Sequence, residues 1–254
     1  MLASFMKQAN PPLSKNCKEI ILGSMLGDGS LKIHKPYVNA RFSFRHSVKQ
    51  KEYFEWKINQ LAEISGESCV WLQQDKNGRD GWGGPKLRYQ SLARPSLTEI
   101  FLLTNKGGKM RIRRKWLNQL TPLSLAIWWF DDGSLVSDSR QGVFCTDGFS
   151  LQEVRILNRY LKIVWNVSTT IGQVGKTEKY RLWLRSTTEL QKFLRIILPH
   201  VRVQAVLYKT LLLFKDSHLQ QRWISEVTTG TGFSSETVEE IVRERKASLK
   251  NFRE

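Results

Sequence analysis

Two aspartates, Asp28 and Asp132, have the residue type and the setting that favour metal chemistry. Each stands near the end of an apolar run: residues 21–29 read ILGSMLGDG, and residues 125–133 read LAIWWFDDG. These runs predict two helices, each ended by its final glycine in a left-handed conformation. A carboxylate in the last turn opposes the negative end of the helix dipole, so its repetition indicates a bound cation.

Hydrolysis of a phosphodiester bond is the chemistry that such a pair supports. It requires a positioned water, neutralisation of a pentacovalent phosphate and stabilisation of the leaving oxyanion, and divalent metals held by two carboxylates supply all three. Mg²⁺ prefers oxygen ligands and would relieve the repulsion between Asp28 and Asp132. The helical carbonyls of Gly27 and Asp131 can add ligands. The Asp131 side chain is expected at solvent or at an interface, since it is rotated by about 100° from Asp132.

The two aspartates are 104 residues apart, about the length of one small domain. A single Asp-Gly is most often an ordinary helix-ending turn, but two copies at this spacing favour one site between two similar halves. Hydrophobic periodicity predicts helix, two strands, helix, two strands, helix in each half. Gly23 and Gly27 lie on one helical face, so the helices predicted over residues 15–28 and 122–132 are expected to approach closely there.

The charge balance favours a polyanionic partner. Lys and Arg together number 40 against 23 Asp and Glu, a net charge of +17 in 254 residues. Nucleic acid is the first partner to consider, and an anionic membrane surface is the second. No apolar run reaches 18 residues and the first twelve residues show no targeting pattern, so neither a membrane span nor a cleaved signal is expected.

Other residue types exclude several classes of site. Three widely spaced cysteines exclude a full disulfide framework and a CxxC zinc pair, and they favour a reducing compartment. No Walker loop, GxGxxG or nucleophile elbow is present. Trp128 and Trp129 are expected to fill the cores of the two halves. The histidines lack zinc-ligand spacing and are expected to be packing or polar-surface residues: His34, His46, His200 and His218.

The paired motifs resemble those of the LAGLIDADG homing endonucleases, in particular the single-chain members that carry two motifs. The matching residues are Gly23, Gly27, Asp28 and Gly29 in the first motif, and Leu125, Ala126, Asp131, Asp132 and Gly133 in the second. Ile127 stands where the motif has Gly and Leu26 where it has an acidic residue, and neither departure touches the metal-binding position. The resemblance implies an α+β fold of two pseudo-symmetric αββαββα subdomains, with saddle-shaped antiparallel sheets and a central two-helix interface.

The domain organisation follows from this resemblance and from composition. The subdomains are expected at residues 1–105 and 121–226, with a basic linker at residues 106–120 and a helical extension at residues 227–254. Residues 228–232 read TTGTG, which is typical of a linker, and capping chemistry predicts a charged helix from Ser235.

Two lysines occupy similar places relative to the aspartates. Lys109 follows Asp28 by 81 residues and Lys209 follows Asp132 by 77, and the near-equal offsets predict equivalent positions. In the family a basic residue from each half lies near the metal-bound water and the scissile phosphate. The resemblance therefore assigns these lysines electrostatic stabilisation and water orientation, with an ordinary solvated lysine as the alternative for each.

Alternating strand residues are the candidates for DNA contact, since one face of each strand carries cationic and hydroxyl donors. In the first half they are Lys32, His34, Arg41, Ser43, Arg45 and Arg88, and in the second Ser139, Arg140, Gln173, Lys179, Arg181, Trp183 and Arg185. Trp183 could equally face the helices. The loop at residues 75–84 is a candidate for a DNA-contacting tip, and phosphate contacts are expected from Lys106, Arg111, Arg113, Arg114 and Lys115.

The resemblance implies a monomeric, site-specific endonuclease that cuts both strands of a long, asymmetric double-stranded DNA target, using Mg²⁺, with Mn²⁺ or Ca²⁺ able to occupy the same sites. Its family role is homing of the intron or intein that encodes it, and the lack of intein splicing blocks favours a free-standing or intron-borne gene. Two alternatives stay open: an RNA-binding intron maturase on the same scaffold, with intron RNA as a partner, and a DNA-binding protein without catalysis. Both acids are present, which favours the nuclease. The family commonly resides in organelles, so a mitochondrion or chloroplast is expected, although a bacterial host also fits.

Overall fold

The computed structural model describes residues 12–74 and 84–252. Most of the candidate DNA-contacting loop lies outside these ranges. The first half runs α1 (Lys15–Ser24), β1 (Ser30–Lys32), β2 (Arg41–Ser47), α2 (Lys51–Gln60), β3 (Val70–Gln73), β4 (Lys86–Gln90) and α3 (Pro95–Thr104). The linker contains a two-stranded hairpin, β5 (Asn105–Lys106) and β6 (Lys109–Met110), and a short helix, α4 (Arg114–Leu117).

The second half repeats the order of the first. It runs α5 (Pro122–Asp132), β7 (Gly133–Val136), β8 (Gln141–Phe144), α6 (Leu151–Trp165), β9 (Thr170–Gln173), β10 (Tyr180–Leu184) and α7 (Thr187–Ile197), and it is followed by α8 (Ser217–Thr231) and α9 (Ser235–Ser248). The two four-stranded antiparallel sheets have matching orders, β1-β2-β4-β3 and β7-β8-β10-β9. The predicted α+β fold of two αββαββα halves is therefore confirmed.

Capping residues start the two central helices. The Ser14 hydroxyl accepts a hydrogen bond from the Cys17 amide at 3.2 Å at the start of α1. Thr121 does the same for the Ser124 amide at 3.3 Å, and Pro122 follows it at the first position of α5, where a missing N–H costs no helical hydrogen bond.

Helices α1 and α5 pack with almost no side-chain layer between them. A Cβ atom at Gly23 would lie 2.3 Å from the Ser124 carbonyl oxygen, and one at Gly27 would lie 2.5 Å from the Asp131 Cβ. The Ser124 hydroxyl also donates to the Glu19 carbonyl oxygen at 2.8 Å. The predicted glycine face is therefore the contact surface, and it brings the ends of both helices together.

The predicted left-handed glycines at the helix ends are wrong. Gly133 is extended, with φ −86° and ψ 149°, and Gly29 is not among the residues with positive φ. Both positions need glycine for another reason: a Cβ would lie 2.7 Å from the Ser24 backbone at Gly29, and 2.1 Å from the Trp129 ring at Gly133. Contact with neighbouring atoms, not backbone handedness, restricts these positions.

The two tryptophans of α5 are fully buried, as predicted, but both contact the same ring of the second half and not one core each. Both pack on Phe144 of the second half: Trp128 stacks on it with ring centroids 4.2 Å apart, and Trp129 meets it edge-on at 5.1 Å. The Trp129 indole N–H donates to the Lys209 carbonyl oxygen at 2.9 Å. One side of helix α5 thus packs into the core of the second half through these rings, and the other side contacts α1.

The C-terminal residues correct the predicted linker. Residues 228–231 lie inside α8, which ends at Gly232 with φ 80°, a left-handed conformation that favours glycine. The charged helix α9 begins at Ser235 as predicted, and its Arg245 and Lys246 bond to Ser139 and to the Phe214 carbonyl. The extension is therefore attached to the second half. Across the described residues, no helix is long and apolar enough to cross a membrane.

Replacement of Gly23 by alanine tests the close approach. The added methyl group would meet the backbone of Ser124, so the helices must separate, and we expect the free energy of unfolding to fall by about 1–3 kcal/mol. Gly148→Ala is the matched control, because a Cβ there has no heavy atom within 4 Å. Urea denaturation measures both; equal losses in the two variants would contradict the close approach.

Candidate functional site

Three carboxylates meet where α1 and α5 end. Asp28 lies four residues beyond α1, and Asp131 and Asp132 are the last residues of α5. Burial and the charges of Asp131 and Asp132 raise the pKa of Asp28 to about 8. Burial and the charge of Asp131 raise the pKa of Asp132 to about 7. The structure thus brings the two motif aspartates into one electrostatic cluster, as the motif spacing suggested.

Asp131 is a buried ion-pair partner. Its side chain is 0% exposed, and its carboxylate accepts two hydrogen bonds from the Lys57 ammonium, at 2.9 and 2.8 Å, and one from the Tyr53 hydroxyl at 2.8 Å. The expected interface position is correct and the expected solvent exposure is wrong, because Gly27 leaves room for the carboxylate inside the seam. Lys57 and Tyr53 lie on α2, so the ion pair joins the two halves.

His46 completes this cluster from strand β2. Its residue is 3% exposed, and its ring packs between Phe44, Tyr53 and Phe54 at centroid distances of 5.3, 5.1 and 6.1 Å. Its Nδ1 lies 3.4 Å from Oδ2 of Asp28, and its Nε2 lies 3.9 Å from Oδ1 of Asp131. Burial, helped by the positive charge of Lys57, lowers the pKa of His46 to about 3, so the ring is neutral at neutral pH.

The two predicted lysines differ in their surroundings. Lys209 is buried, and its ammonium donates to the carbonyls of Phe130 and Gly133 at 2.6 and 3.0 Å, where a cation also complements the helix dipole of α5. Burial lowers the pKa of Lys209. Lys109 is exposed on the β5–β6 hairpin.

The lysine that accompanies Lys209 in the cluster is Lys57. These two lysines supply the positive charge that lowers the pKa of Asp28 and of Asp132, against the larger effect of burial. Sequence reasoning missed Lys57, because the offset from the aspartates pointed to Lys109. The neighbours of Lys109 in the hairpin, Gly108 and Met110, line one cavity with residues 29–34. The hairpin therefore lies beside the turn that follows Asp28, and a role for Lys109 stays a prediction.

The charges of the cluster fit a divalent cation. Ligand atoms of Asp28, His46 and Asp131 lie within 4.8 Å of one another, but Lys57 already neutralises Asp131. Counting Asp132 and Lys209, three carboxylates face two ammonium groups. The two ammonium groups do not offset the effect of burial on Asp28 and Asp132, the two predicted ligands, whose pKa values stay raised. A hard cation that prefers oxygen ligands would favour the ionised form of both carboxyl groups. Ligand roles for the Gly27 and Asp131 carbonyls stay predictions.

The open face of the first sheet forms a basic groove that reaches Asp28. Five predicted DNA-contacting residues line it together with Asp28, Trp71 and Gln90: Lys32, His34, Ser43, Arg45 and Arg88. Arg45 and Arg88 are direct cross-strand partners, a placement of like charges that is unfavourable without an anion nearby. Arg41 lies over the Tyr37 ring at 4.1 Å and donates to Gln90 at 3.3 Å.

The open face of the second sheet is less cationic. Arg181 forms two hydrogen bonds with Asp147, at 2.8 and 2.6 Å, and this ion pair lowers the pKa of Asp147. Trp183 shares the face of Arg181, since the alternate residues Leu182 and Leu184 are buried. The ring of Trp183 lies close to Gly172, where a Cβ would meet its Nε1 at 2.6 Å.

Some of the remaining residues predicted to contact DNA are exposed, and others already form hydrogen bonds within the protein. Arg140, Gln173, Lys179 and Arg185 are exposed, although the Gln173 side chain donates to the Thr177 carbonyl at 2.7 Å. Ser139 is buried and accepts a hydrogen bond from Arg245 at 2.8 Å, so its nomination as a base reader is wrong.

The linker cations divide in the same way. Arg113 donates to the Leu102 and Asn105 carbonyls at 2.8 and 3.2 Å, which makes it a cap for the end of α3 and not a phosphate ligand. Lys106, Arg114 and Lys115 are exposed, and Arg111 lies 3.9 Å from Glu153. Three of the five linker residues predicted to contact phosphate therefore have neither an ion pair to Glu153 nor a capping role at α3: Lys106, Arg114 and Lys115.

The fold of two repeated αββαββα halves is that of a known class of protein, and comparison with known proteins identifies the family. The chain belongs to the LAGLIDADG DNA endonuclease family, whose profile matches residues 18–193. The structure of the homing endonuclease I-WcaI bound to its DNA recognition sequence aligns with a TM-score of 0.70 and 23% identity, covering 80% of this chain and 89% of that one. This likeness establishes the fold.

Curated relatives carry two kinds of name. The Mycobacterium gastri protein named RecA is 31% identical over 203 residues, which is 74% of this chain and 46% of that protein. The cytochrome b mRNA maturase bI2 of Saccharomyces cerevisiae is 28% identical over 208 residues, 78% of this chain and 48% of the relative. The bI2 maturase of Debaryomyces hansenii is 24% identical, covering 79% of this chain and 75% of that protein. The chain thus spans about half the length of the first two relatives.

The buried ion pair predicts a large effect on stability. Lys57→Met leaves the Asp131 carboxylate buried without its cation, and we expect the free energy of unfolding to fall by about 3–5 kcal/mol in urea denaturation. Lys192→Met is the matched control: Lys192 also pairs with a carboxylate, Glu189 at 2.6 Å, but its side chain is 42% exposed. For Lys192→Met we expect the free energy of unfolding to fall by less than about 1 kcal/mol. If Lys57→Met lowers it by no more than that, the buried ion pair does not stabilise the contact between the halves.

Proposed function

We propose that this chain is a site-specific endonuclease that hydrolyses both strands of a long, asymmetric DNA duplex with a divalent metal, as intron homing requires. The observation that carries the proposal is the meeting of Asp28 and Asp132 where α1 and α5 end, with Asp28 lining the basic groove of the first sheet. Membership of the LAGLIDADG DNA endonuclease family supports the same activity. One polypeptide with two halves suffices for both strands, so the proposed form is a monomer.

The parts of the mechanism follow from the placement of the side chains. Asp28 and Asp132 would hold Mg²⁺, which supplies an activated water and neutralises the phosphate during hydrolysis. The Lys57–Asp131 ion pair keeps α5 fixed against the first half, so the two carboxylates hold their spacing. Lys209 holds the C-terminal end of α5 through the Phe130 and Gly133 carbonyls. Lys109, on its exposed hairpin, is free to approach a bound phosphate beside Asp28.

The two sheets would then contact the duplex on either side of the cleavage site. In the first groove Arg45 and Arg88 suit guanine edges or phosphates, and no acidic side chain lines that groove except Asp28. In the second half Trp183 and the Asp147-bound Arg181 favour apolar and more restricted contacts. The two half-sites are therefore expected to differ in sequence and in electrostatic contribution.

A maturase function is the second candidate, because two relatives are named mRNA maturases. On this reading the same scaffold binds intron RNA, with or without DNA cleavage. The presence of both Asp28 and Asp132 favours cleavage. The relatives come from yeasts and from bacteria, so they support an organelle and a bacterial cell equally.

The cleavage prediction concerns the two motif aspartates. Incubating a random duplex library with the protein and Mg²⁺, then sequencing the ends, identifies the target. On that target we expect Asp28→Asn and Asp132→Asn each to abolish double-strand cleavage while binding stays measurable, since each substitution keeps the shape and removes the charge that holds metal. Glu55→Gln, at an exposed carboxylate on α2, is the control and should cleave normally. Full activity in either aspartate variant excludes the assigned site.

The salt prediction concerns the basic faces. If the protein contacts six to ten phosphates, its affinity for the target should fall by about 10³–10⁵-fold between 50 and 200 mM salt. Lys32→Gln, in the first groove, removes one phosphate contact and should reduce the slope of log affinity against log salt concentration by about 1. Lys162→Gln, at an exposed position on α6 behind the second sheet, should leave the slope unchanged. Fluorescence anisotropy with labelled duplex measures all three, and a flat titration would argue against phosphate-dominated binding.

A further inference from the structure

The buried imidazole of His46 has no assigned role. Neither ring nitrogen has a hydrogen-bond partner among the described residues, although the ring is 3% exposed. A buried polar group without a partner is costly, so its retention needs an explanation. Nδ1 faces the carboxylate of Asp28, a proposed metal ligand, and Nε2 faces the ion-paired carboxylate of Asp131. The role of His46 is therefore sought beside the proposed metal site.

Of the two carboxylates, Asp28 is the one with room for a hydrogen bond from His46. Both oxygens of Asp131 already accept from Lys57, and Oδ1 accepts from Tyr53 as well. No hydrogen bond reaches the Asp28 carboxylate from any described residue. The Nδ1 to Oδ2 separation is 3.4 Å, shorter than the 3.9 Å from Nε2 to Asp131. A small turn of the Asp28 carboxylate would align this contact.

We propose that His46 is a positioning residue that donates a hydrogen bond from Nδ1 to Oδ2 of Asp28, leaving the other carboxylate oxygen to face the metal. The surrounding rings of Phe44, Tyr53 and Phe54 hold the imidazole in place, so the carboxylate is oriented by a rigid donor. Partners of this kind orient metal ligands and are worth about 10–100-fold in metal affinity or activity. The inference rests on the proposed endonuclease function.

The second half has no such donor. Strand pairing aligns Ser30 with Ser43 in the first sheet and Ser134 with Val143 in the second. Because Ser30 and Ser134 each lie two residues after a motif aspartate, the position equivalent to His46, three residues after Ser43, is Thr146. The Thr146 hydroxyl instead donates to the Tyr180 carbonyl at 2.6 Å. The Asp28 side of the site therefore depends on a hydrogen bond that the Asp132 side lacks.

The first test measures the proton on the ring directly and needs neither metal nor cleavage. The protein contains four histidines, so ¹⁵N-histidine labelling gives few signals, and the spectrum of His46→Phe identifies that of His46. At about pH 9, where the Asp28 carboxylate is ionised and can only accept a hydrogen bond, we expect Nδ1 to carry a proton, whereas free neutral histidine favours the Nε2–H form. An unprotonated Nδ1 in the wild-type protein would overturn the proposal, whatever the outcome of any cleavage assay.

The second test measures each strand separately in single-turnover cleavage of doubly labelled target. His46→Phe keeps a ring of similar size and removes the donor, and we expect one strand to slow by about 10–100-fold relative to the other. His46→Asn places an amide N–H near the position of Nδ1 and should recover most of the lost rate. Thr146→Val is the matched control in the second half and should leave the ratio of strand rates at the wild-type value.

The outcomes separate this proposal from the proposed function. Equal slowing of both strands in His46→Phe, or no slowing, would overturn the positioning role while leaving the nuclease intact. Absence of cleavage by the wild-type protein would overturn the nuclease proposal, and the ¹⁵N spectrum would still decide the hydrogen bond. Thermal unfolding of His46→Phe checks its fold; if it does not fold, His46→Asn and the wild-type spectrum decide the question.

Discussion

The close contact of α1 with α5 is the constraint on which the rest of the site depends. Two carboxylates that lie 104 residues apart in sequence share one electrostatic environment because Gly23 lies against the Ser124 backbone and Gly27 lies against the Asp131 side chain. Any side chain at these positions would add a layer of atoms and move the helix ends apart. The metal chemistry proposed here therefore depends first on two residues that have no side chain.

That contact also creates an electrostatic problem, since it collects three carboxylates, of which the Asp131 side chain is fully buried and the Asp28 side chain is 36% exposed. Two buried lysines offset this negative charge, and they do so in different ways. Lys57 neutralises Asp131 directly, and Lys209 places its charge on the C-terminal carbonyls of α5. Burying a charge is costly unless it is paired and hydrogen-bonded. Asp131 meets this condition with three hydrogen bonds, whereas Asp28 and Asp132 keep raised pKa values because their compensation is incomplete.

The sequence predicted the fold and the meeting of the two motif aspartates well, and the side chains around them poorly. Periodicity and the repeated motif are local or regular signals, so the order of elements and the glycine contact could be read directly. His46 and Lys57 could not, because their importance arises from a partner far away in sequence. His46 did carry one signal: it continues the inward-facing alternation of Phe42 and Phe44, where a polar side chain needs a reason. Ser139 and Arg113 were misjudged because partners outside their own segments engage them.

The pairing of Gly27 with Asp131 bears on why both motifs lie in one polypeptide. The two residues occupy equivalent places, one before each motif aspartate, and they face each other across the seam. In a symmetric pair of identical chains both places would hold the same residue: two aspartates would collide, and two glycines would leave Lys57 buried without a counter-ion. The same divergence extends to α2 and α6, where Lys57 corresponds to the fully buried Leu157, eleven residues after Thr146 as Lys57 is after His46. Lys57 pairs with Asp131 of the other half, whereas a leucine at the equivalent position cannot form such a pair, so the ion pair distinguishes the two halves.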